Sequence, residues 1–521
     1  MHPLSIRRLV SMAVATLLAG CNLAPEYVRP STPVTATWPT LDQTQYDAST
    51  GVLTSRTITV DQLLESGAAP KVATDNTVAS IPWQDFFLDQ RLKALISIAL
   101  ENNRDFRIAV ARMDQAQALW GVQRGELFPQ IGAGVAGTKQ RQITTNTVGN
   151  NATSVTSLYQ AGVQVTAFEV DLFGRLRNLS EAAFQQYLAS AEVARGVQIS
   201  LIADTAINYL SWRVADALLK LTEQTYQARQ ASYRLVLERF KAGVASDITL
   251  MQAKSVLDAA AGDMSIYTRE RTLALNALSV IIGQTIPDNL PPPLPVTDIN
   301  FLATIPAGVP SDLLFRRPDI RQAENQLLAA NANIGAARAA FFPNISLTGS
   351  LGSASTSLGD LFSSGSGVWS FTPSISIPIF TGGSLQASLA GANAAQIEAV
   401  AAYEKSIQVA FQEVSDALAG EATYTAQFQA RTSQRHANKK LLDLSNARFF
   451  NGIESFLQVQ IAEIEFFVAQ QQQVRTAFEA FSNRINFYRA LGGGWDNTLP
   501  GAQLDTTLAI QNIASQPASA Q

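Results

Sequence analysis

The chain has 521 residues, a formal net charge of −4, one cysteine and two histidines. That balance offers no basic stripe for nucleic acid, no material for a disulfide framework, and no nucleophile elbow, phosphate-cradling glycine loop or metal-ligand cluster. The length alone suggests three or four domains, and of the two histidines His436 stands beside Lys439 and Lys440 on a polar helical stretch, the setting of a solvated surface residue.

Residues 1–20 have the layout of a secretory signal peptide, with Arg7 and Arg8 ahead of an apolar stretch from Leu9 to Leu18. The stretch is too short to cross a bilayer, which needs roughly 20 residues. Losing both arginines with the leader takes the net charge from −4 to −6. Leu18-Ala19-Gly20-Cys21 resembles the lipobox of bacterial lipoproteins. In that group the cysteine is acylated and becomes the first residue, so a covalent lipid on Cys21 is the only prosthetic group implied. Asn22 replaces the Asp that retains many such proteins at the inner membrane, which points to the outer one. Residues 21–84 then form an extended segment rich in Pro, Thr and Ser, without the periodicity of a separate domain.

Two structural repeats follow, over 85–287 and 312–495. At a shift of 214, Asp105, Gly121, Arg124, Phe128 and Pro129 match Asp319, Gly335, Arg338, Phe342 and Pro343; further on, at 209, Gly174, Arg239, Phe240, Gly243 and Gly283 match Gly383, Arg448, Phe449, Gly452 and Gly492. Repeats take precedence over any other assignment. Each reads as helix, strand, loop, strand, very long helix, turn, helix, with the loops at Gln142–Leu158 and Ser355–Gly367. The long helices are predicted over Leu176–Ala242 and Leu385–Asn451, proline-free and rich in Ala, Leu, Gln, Glu and Arg. At 1.5 Å per residue each would extend about 100 Å, beyond what a globular core holds. Their many alanines suit helices packed on two flanks in a ring, although a plain dimeric coiled coil shares the periodicity. Residues 288–311 are a linker carrying Pro291-Pro292-Pro293, and 496–521 is a Gln-, Ala- and Ser-rich tail of disordered composition.

The predicted strands alternate in period two. Val163, Val165 and Ala167 alternate with Gln164 and Thr166; Ile345, Leu347 and Leu351 with Ser346, Thr348 and Ser350; Trp369, Phe371, Ile375, Ile377 and Ile379 with Ser370, Thr372, Ser374 and Ser376. Such a pattern fits a barrel strand with lipid on one face and water on the other, and equally a half-buried sandwich strand. Flanking helices of this length do not belong to a sandwich. Four strands per chain cannot close a membrane barrel, and open edges do not persist in hydrocarbon, so chains must pool them. Two chains would give eight strands and a lumen filled by side chains. The Ser/Thr/Gln face favours water, hence twelve strands and three chains.

From Cys21 to about Trp495 the chain resembles the TolC-type outer-membrane efflux proteins, in particular the lipoprotein branch serving resistance-nodulation-division multidrug pumps. The residues that carry the likeness are Cys21 to Pro30, Arg316-Arg317-Pro318-Asp319-Ile320, and the turns Arg239-Phe240-Lys241-Ala242-Gly243 and Arg448-Phe449-Phe450-Asn451-Gly452, which resemble the family's RYxxG turns. The resemblance implies an α+β membrane protein, a homotrimer whose twelve-stranded outer-membrane barrel continues into a twelve-helix periplasmic α-barrel. It further implies a passive exit duct for small molecules, without catalysis, served by a periplasmic adaptor protein and an inner-membrane pump in a Gram-negative envelope. Adaptor docking would fall on the periplasmic tip turns, at Arg239, Phe240, Gly243, Val244, Arg448, Phe449, Gly452 and Ile453. A gate would lie just beyond, from Asp247, Thr249, Glu454, Leu457, Gln458, Ile461 and Glu463. The match there is partial: Thr249, Gln458 and Ile461 stand where relatives often carry Asp, which leaves Leu457 as the main constriction with Asp247, Glu454 and Glu463 supplying charge. Two other readings stay open, a conduit for protein export in type I secretion and a lipid-tethered periplasmic coiled-coil scaffold.

Overall fold

The computed structural model describes residues 22–35, 37–60, 62–63, 81–145, 151–294 and 316–494. Cys21 with its leader, most of the 288–311 linker, Trp495 and the tail lie outside the described residues. In chain order the elements are β1 (Leu41–Asp47), β2 (Val52–Ile58), α1 (Trp83–Phe86), α2 (Gln90–Asn102), α3 (Arg104–Gly125), β3 (Ile131–Thr145), β4 (Asn151–Glu169), α4 (Arg175–Lys241), α5 (Asp247–Ile282), α6 (Pro318–Ala339), β5 (Asn344–Ser355), β6 (Gly367–Ser376), α7 (Ser384–Phe450) and α8 (Phe456–Ala490). The chain divides into two compact units, one of residues 1–31, 111–191 and 322–404, the other of 32–110, 192–321 and 405–521.

The first unit carries a four-stranded antiparallel sheet in the order β3-β4-β5-β6, with Ile131 opposite Val165, Val163 opposite Leu351, and Gly349 opposite Phe371. The β4–β5 register shifts between Val165 and Phe168, where Ala167 takes φ 49° and its N–H donates to Thr348 Oγ1 at 3.2 Å. A bulge of this kind bends the strand and tightens its twist. Below the sheet α4 starts after Gly174, and Asp171 Oδ2 accepts the Arg177 N–H at 2.9 Å, satisfying one of the orphan donors of a helix start. Small residues set the helix contact nearby: Ala182, Ala329 and Ala332 form one buried cluster.

The sheet has no core of its own. Ile131, Val135, Trp369, Phe371 and Ile375 are each more than 60% exposed, and every residue of β6 is exposed. Strands β3 and β6 are its edges, without a further partner among the described residues. Among those residues no helix is long and apolar enough to cross a membrane.

The second unit is packed in the ordinary way. Phe86 stacks on Tyr488 at 4.0 Å with Phe87 edge-on to Phe86, while Leu92, Leu95, Ile96, Leu278 and Ile282 are fully buried. Asp89 caps α2 by accepting the Arg91 N–H at 2.8 Å and receives the Tyr209 hydroxyl at 2.8 Å. Arg213 reaches the Leu294 carbonyl and Asp216, which ties the start of the linker to α4.

Several sequence expectations shift. The predicted loop Gln142–Leu158 is mostly strand, because β3 runs to Thr145 and β4 begins at Asn151. Its Thr, Ser and Gln side chains read as loop, but ladder hydrogen bonds depend on a partner backbone and not on polarity. Ile377 and Ile379 lie past the end of β6, which stops at Ser376 ahead of Pro378, a residue with no donor for the ladder. The long helices are each displaced by one residue from the predicted bounds. The 21–84 segment holds an unforeseen hairpin, β1–β2. Its strands lack apolar alternation, and its turn is fixed locally by Asp47, which accepts from Ser49 N and Oγ and from Thr50 Oγ1 at 2.7–2.8 Å. Instead of three or four domains there are two units.

Candidate functional site at the helix-end turns

The two long helices end in the same backbone device. In the first turn Gly243 N–H donates to the Phe240 carbonyl at 2.9 Å and Val244 N–H to the Arg239 carbonyl at 2.9 Å; in the second Gly452 pairs with Phe449 at 3.0 Å and Ile453 with Arg448 at 2.9 Å. Both glycines sit at positive φ, 75° and 71°. This is the Schellman arrangement, in which a left-handed residue turns the chain back onto the last carbonyls, and glycine meets no Cβ penalty there. A Cβ at either position would touch nothing within 4 Å, so the requirement is conformational only.

The turns rest on one apolar cluster of Val236, Leu250, Ala253, Phe456 and Val459, with Tyr233, Leu237, Leu442 and Phe449 packed against it. Phe449 lies 5.3 Å from Phe456 and 5.7 Å from Phe450. The Arg239 guanidinium of the first turn sits 5.1 Å over the Phe449 ring of the second. Arg448 instead pairs with Glu454 at 3.2 Å. Ser246 caps α5, its Oγ accepting the Thr249 N–H at 3.2 Å and standing 3.0 Å from the Thr249 hydroxyl; Asp247 follows in the first helical turn. Ser455 makes no such side-chain bond, and the Gln458 N–H reaches only the Ser455 carbonyl, at 3.2 Å.

The predicted gate residues therefore divide. Asp247, Leu457, Gln458 and Ile461 are exposed, Thr249 is spent on the cap, and Glu454 is ion-paired. Glu463 is half-buried, and desolvation pushes its carboxyl above the usual range, opposed in part by Arg229. Arg229 is buried, donates to the Val256 carbonyl at 3.1 Å and lies over Phe467 at 5.5 Å. Leu457, Ile461, Ile464 and Val468, 40–44% exposed, form one open stripe along α8 at the 4-3-4 spacing of a helix seam. On α5, Ile266, Leu273 and Val280 are exposed at intervals of seven. Val244 and Ile453 are 65% and 67% exposed at the turns themselves. Sequence reasoning missed Phe456, which joins the turns, and Ile248, which is 71% exposed; at the 209 shift Ile248 is the partner of Leu457, and that alignment would have found it.

The profile of the outer membrane efflux protein family matches twice, over residues 95–284 and 309–493. The chain belongs to the outer membrane efflux protein family. It is 42% identical over 492 residues to the probable efflux pump outer membrane protein TtgC of Pseudomonas putida, covering 94% of this chain and 96% of that one. It is 36% identical to the outer membrane protein OprJ of Pseudomonas aeruginosa, over 93% and 95% of the two chains. Among solved structures, the open state of the MtrE outer membrane channel of Neisseria gonorrhoeae aligns with a TM-score of 0.77 and 34% identity, over 91% of this chain and 98% of that one. The protein is thus an outer-membrane exit duct of a Gram-negative efflux system, and its helix-end turns belong to an efflux channel.

Proposed function

We propose that three copies of the chain pool their sheets into one twelve-stranded barrel and their helices into one periplasmic tunnel. The observation that carries this reading is the bare sheet: four antiparallel strands with two open edges and exposed Ile, Val, Trp and Phe. Apolar side chains left in water forfeit about 25 cal/mol per Å², and open edges invite pairing with another chain; lipid and neighbouring copies remove both costs. The open stripes on α5 and α8 support the same assembly in the helical part. The duct is passive and performs no catalysis. A periplasmic adaptor meets Val244, Ile453 and their neighbours at the turns, an inner-membrane pump supplies the energy, and a lipid on Cys21 adds a tether. Leu457, at the turn end of its stripe, narrows the pore.

Two measurements test this. The full chain extracted in detergent should run as a trimer that separates only on heating; a monomer would overturn the assembly. Leu457→Ala should raise single-channel conductance in planar bilayers, and unchanged conductance would remove Leu457 from the constriction.

A further inference from the structure

Below the apolar cluster of the turns, the same face of α8 becomes polar. Phe456, Val459, Gln460, Glu463 and Phe467 follow one another at helical spacing. The first two belong to the cluster, and Gln460 is buried beside them in sequence. Arg229 of α4 lies over Phe467 at 5.5 Å and donates through Nη1 to the Val256 carbonyl of α5 at 3.1 Å. Its Nε, like Gln460 Nε2, has no acceptor among the described residues. Glu463 acts on Arg229 through space, without a hydrogen bond or ion pair between them. A buried guanidinium is costly unless an anion and acceptors match it. Here the anion stands nearby and is not engaged.

The repeat separates the bond from the charge. At the 209 shift Arg229 and Val256 correspond to Asn438 and Glu465, and Asn438 Nδ2 donates to the Glu465 carbonyl at 3.1 Å. A neutral amide therefore suffices to tie a long helix to the main chain of the next one at this level. The charge of Arg229 exceeds what that tie requires. Glu463 has no acidic counterpart either: Lys254 takes its place and pairs at the surface with Asp258. Charged neighbours on the other elements are committed elsewhere. Asp263 of α5 acts on Arg229 and not on Glu463, and Lys439 of α7 lies over Phe466 and pairs with Asp443. Among the described residues, Arg229 is the charged group that bears on Glu463.

We propose that α8 has two seats against α4, the described one and a second in which Glu463 closes on Arg229, and that exchange between them moves the turns. The proposal rests on the functional reading only in calling the moving part a channel tip. Phe456 and Val459 share the shifting face, within about two helical turns of Glu463, so the cluster follows the carboxylate. The first turn follows in its own way, through Arg239 over Phe449. Burial favours the neutral carboxyl in the described seat, whereas the ionised form is stabilised beside Arg229. Acid therefore favours the described seat, and rising pH the second.

Trypsin cleavage of the purified full chain after Arg239 and Arg448, at mildly alkaline pH, tests this. Glu463→Gln fixes the neutral form; Arg229→Asn keeps the tie that Asn438 makes and removes the charge. Each should slow cleavage about tenfold, the scale of one charged hydrogen bond. A disturbed fold speeds cleavage, so misfolding cannot imitate the expected fall. In planar bilayers the open probability of the natural chain should rise by a similar factor from mildly acidic to mildly alkaline pH, and stay flat in both variants. Unchanged or faster cleavage in Glu463→Gln would overturn the exchange, as would a natural pH profile in that variant. Slowed cleavage from a chain that passes no current would keep the exchange and overturn the functional reading instead.

Discussion

The two helix-end turns share a backbone and differ in what holds them. Each closes with a left-handed glycine and the same pair of hydrogen bonds. The second turn is held from inside: Phe456 is buried in the shared cluster and Arg448 is paired with Glu454. Their repeat counterparts in the first turn are the exposed Asp247, and Ala245 in place of Glu454. The first turn keeps a Ser246 cap of its own and otherwise leans on the second, through Arg239 over Phe449. Duplication has thus kept the main-chain geometry while the side chains specialised, one turn as support and the other as the part supported.

The most damaging change to that arrangement is Phe456→Ala. Removing a buried Phe costs about 3–5 kcal/mol, and the loss should spread to the first turn. Trypsin cleavage after Arg239 and Lys241, on the other turn, should rise as much as cleavage after Arg448. If only the second turn became sensitive, the shared support would be refuted. Next in size are Gly243→Ala and Gly452→Ala. Each places a Cβ in left-handed backbone, at about 1–2 kcal/mol, with no neighbour to clash. The cost should be the same at both turns, read as equal falls in the thermal midpoint of the protein. Unequal falls would mean that surroundings, and not φ, fix the glycines.

How far the sequence foretold this differs by feature. The duplication, the glycine turns and the alternation of Trp369, Phe371 and Ile375 are local patterns, legible because they follow from one chain's φ and periodicity. The β1–β2 hairpin was not legible, since neither of its faces is apolar and pairing alone defines it. Nor was the joining of the turns: Phe456 reads as an ordinary first-turn residue until the helix ends are side by side. Glu463 looked like one more acid near the predicted gate, and only the fold sets it, half-buried, against the buried Arg229.

Smaller effects separate the turns more finely. Ser246→Ala removes a cap bond that the structure contains and should cost about 1 kcal/mol. Ser455→Ala removes no side-chain bond and should cost next to nothing, although the two serines are repeat equivalents. Paired denaturation of the two variants decides this, and equal losses would show that Ser455 caps α8 after all. The smallest change expected is from Arg448→Gln. Arg448 is 57% exposed in its pair with Glu454, and exposed pairs contribute about 0–1 kcal/mol. Stability should therefore barely move, and salt should have little left to screen. The informative readout is local: Glu454 would lose its cation beside exposed Leu457, so cation conductance should rise while the thermal midpoint holds. A midpoint that fell as far as in Phe456→Ala would instead place the ion pair among the supports of the second turn, and the division of labour between core and surface would have to be redrawn.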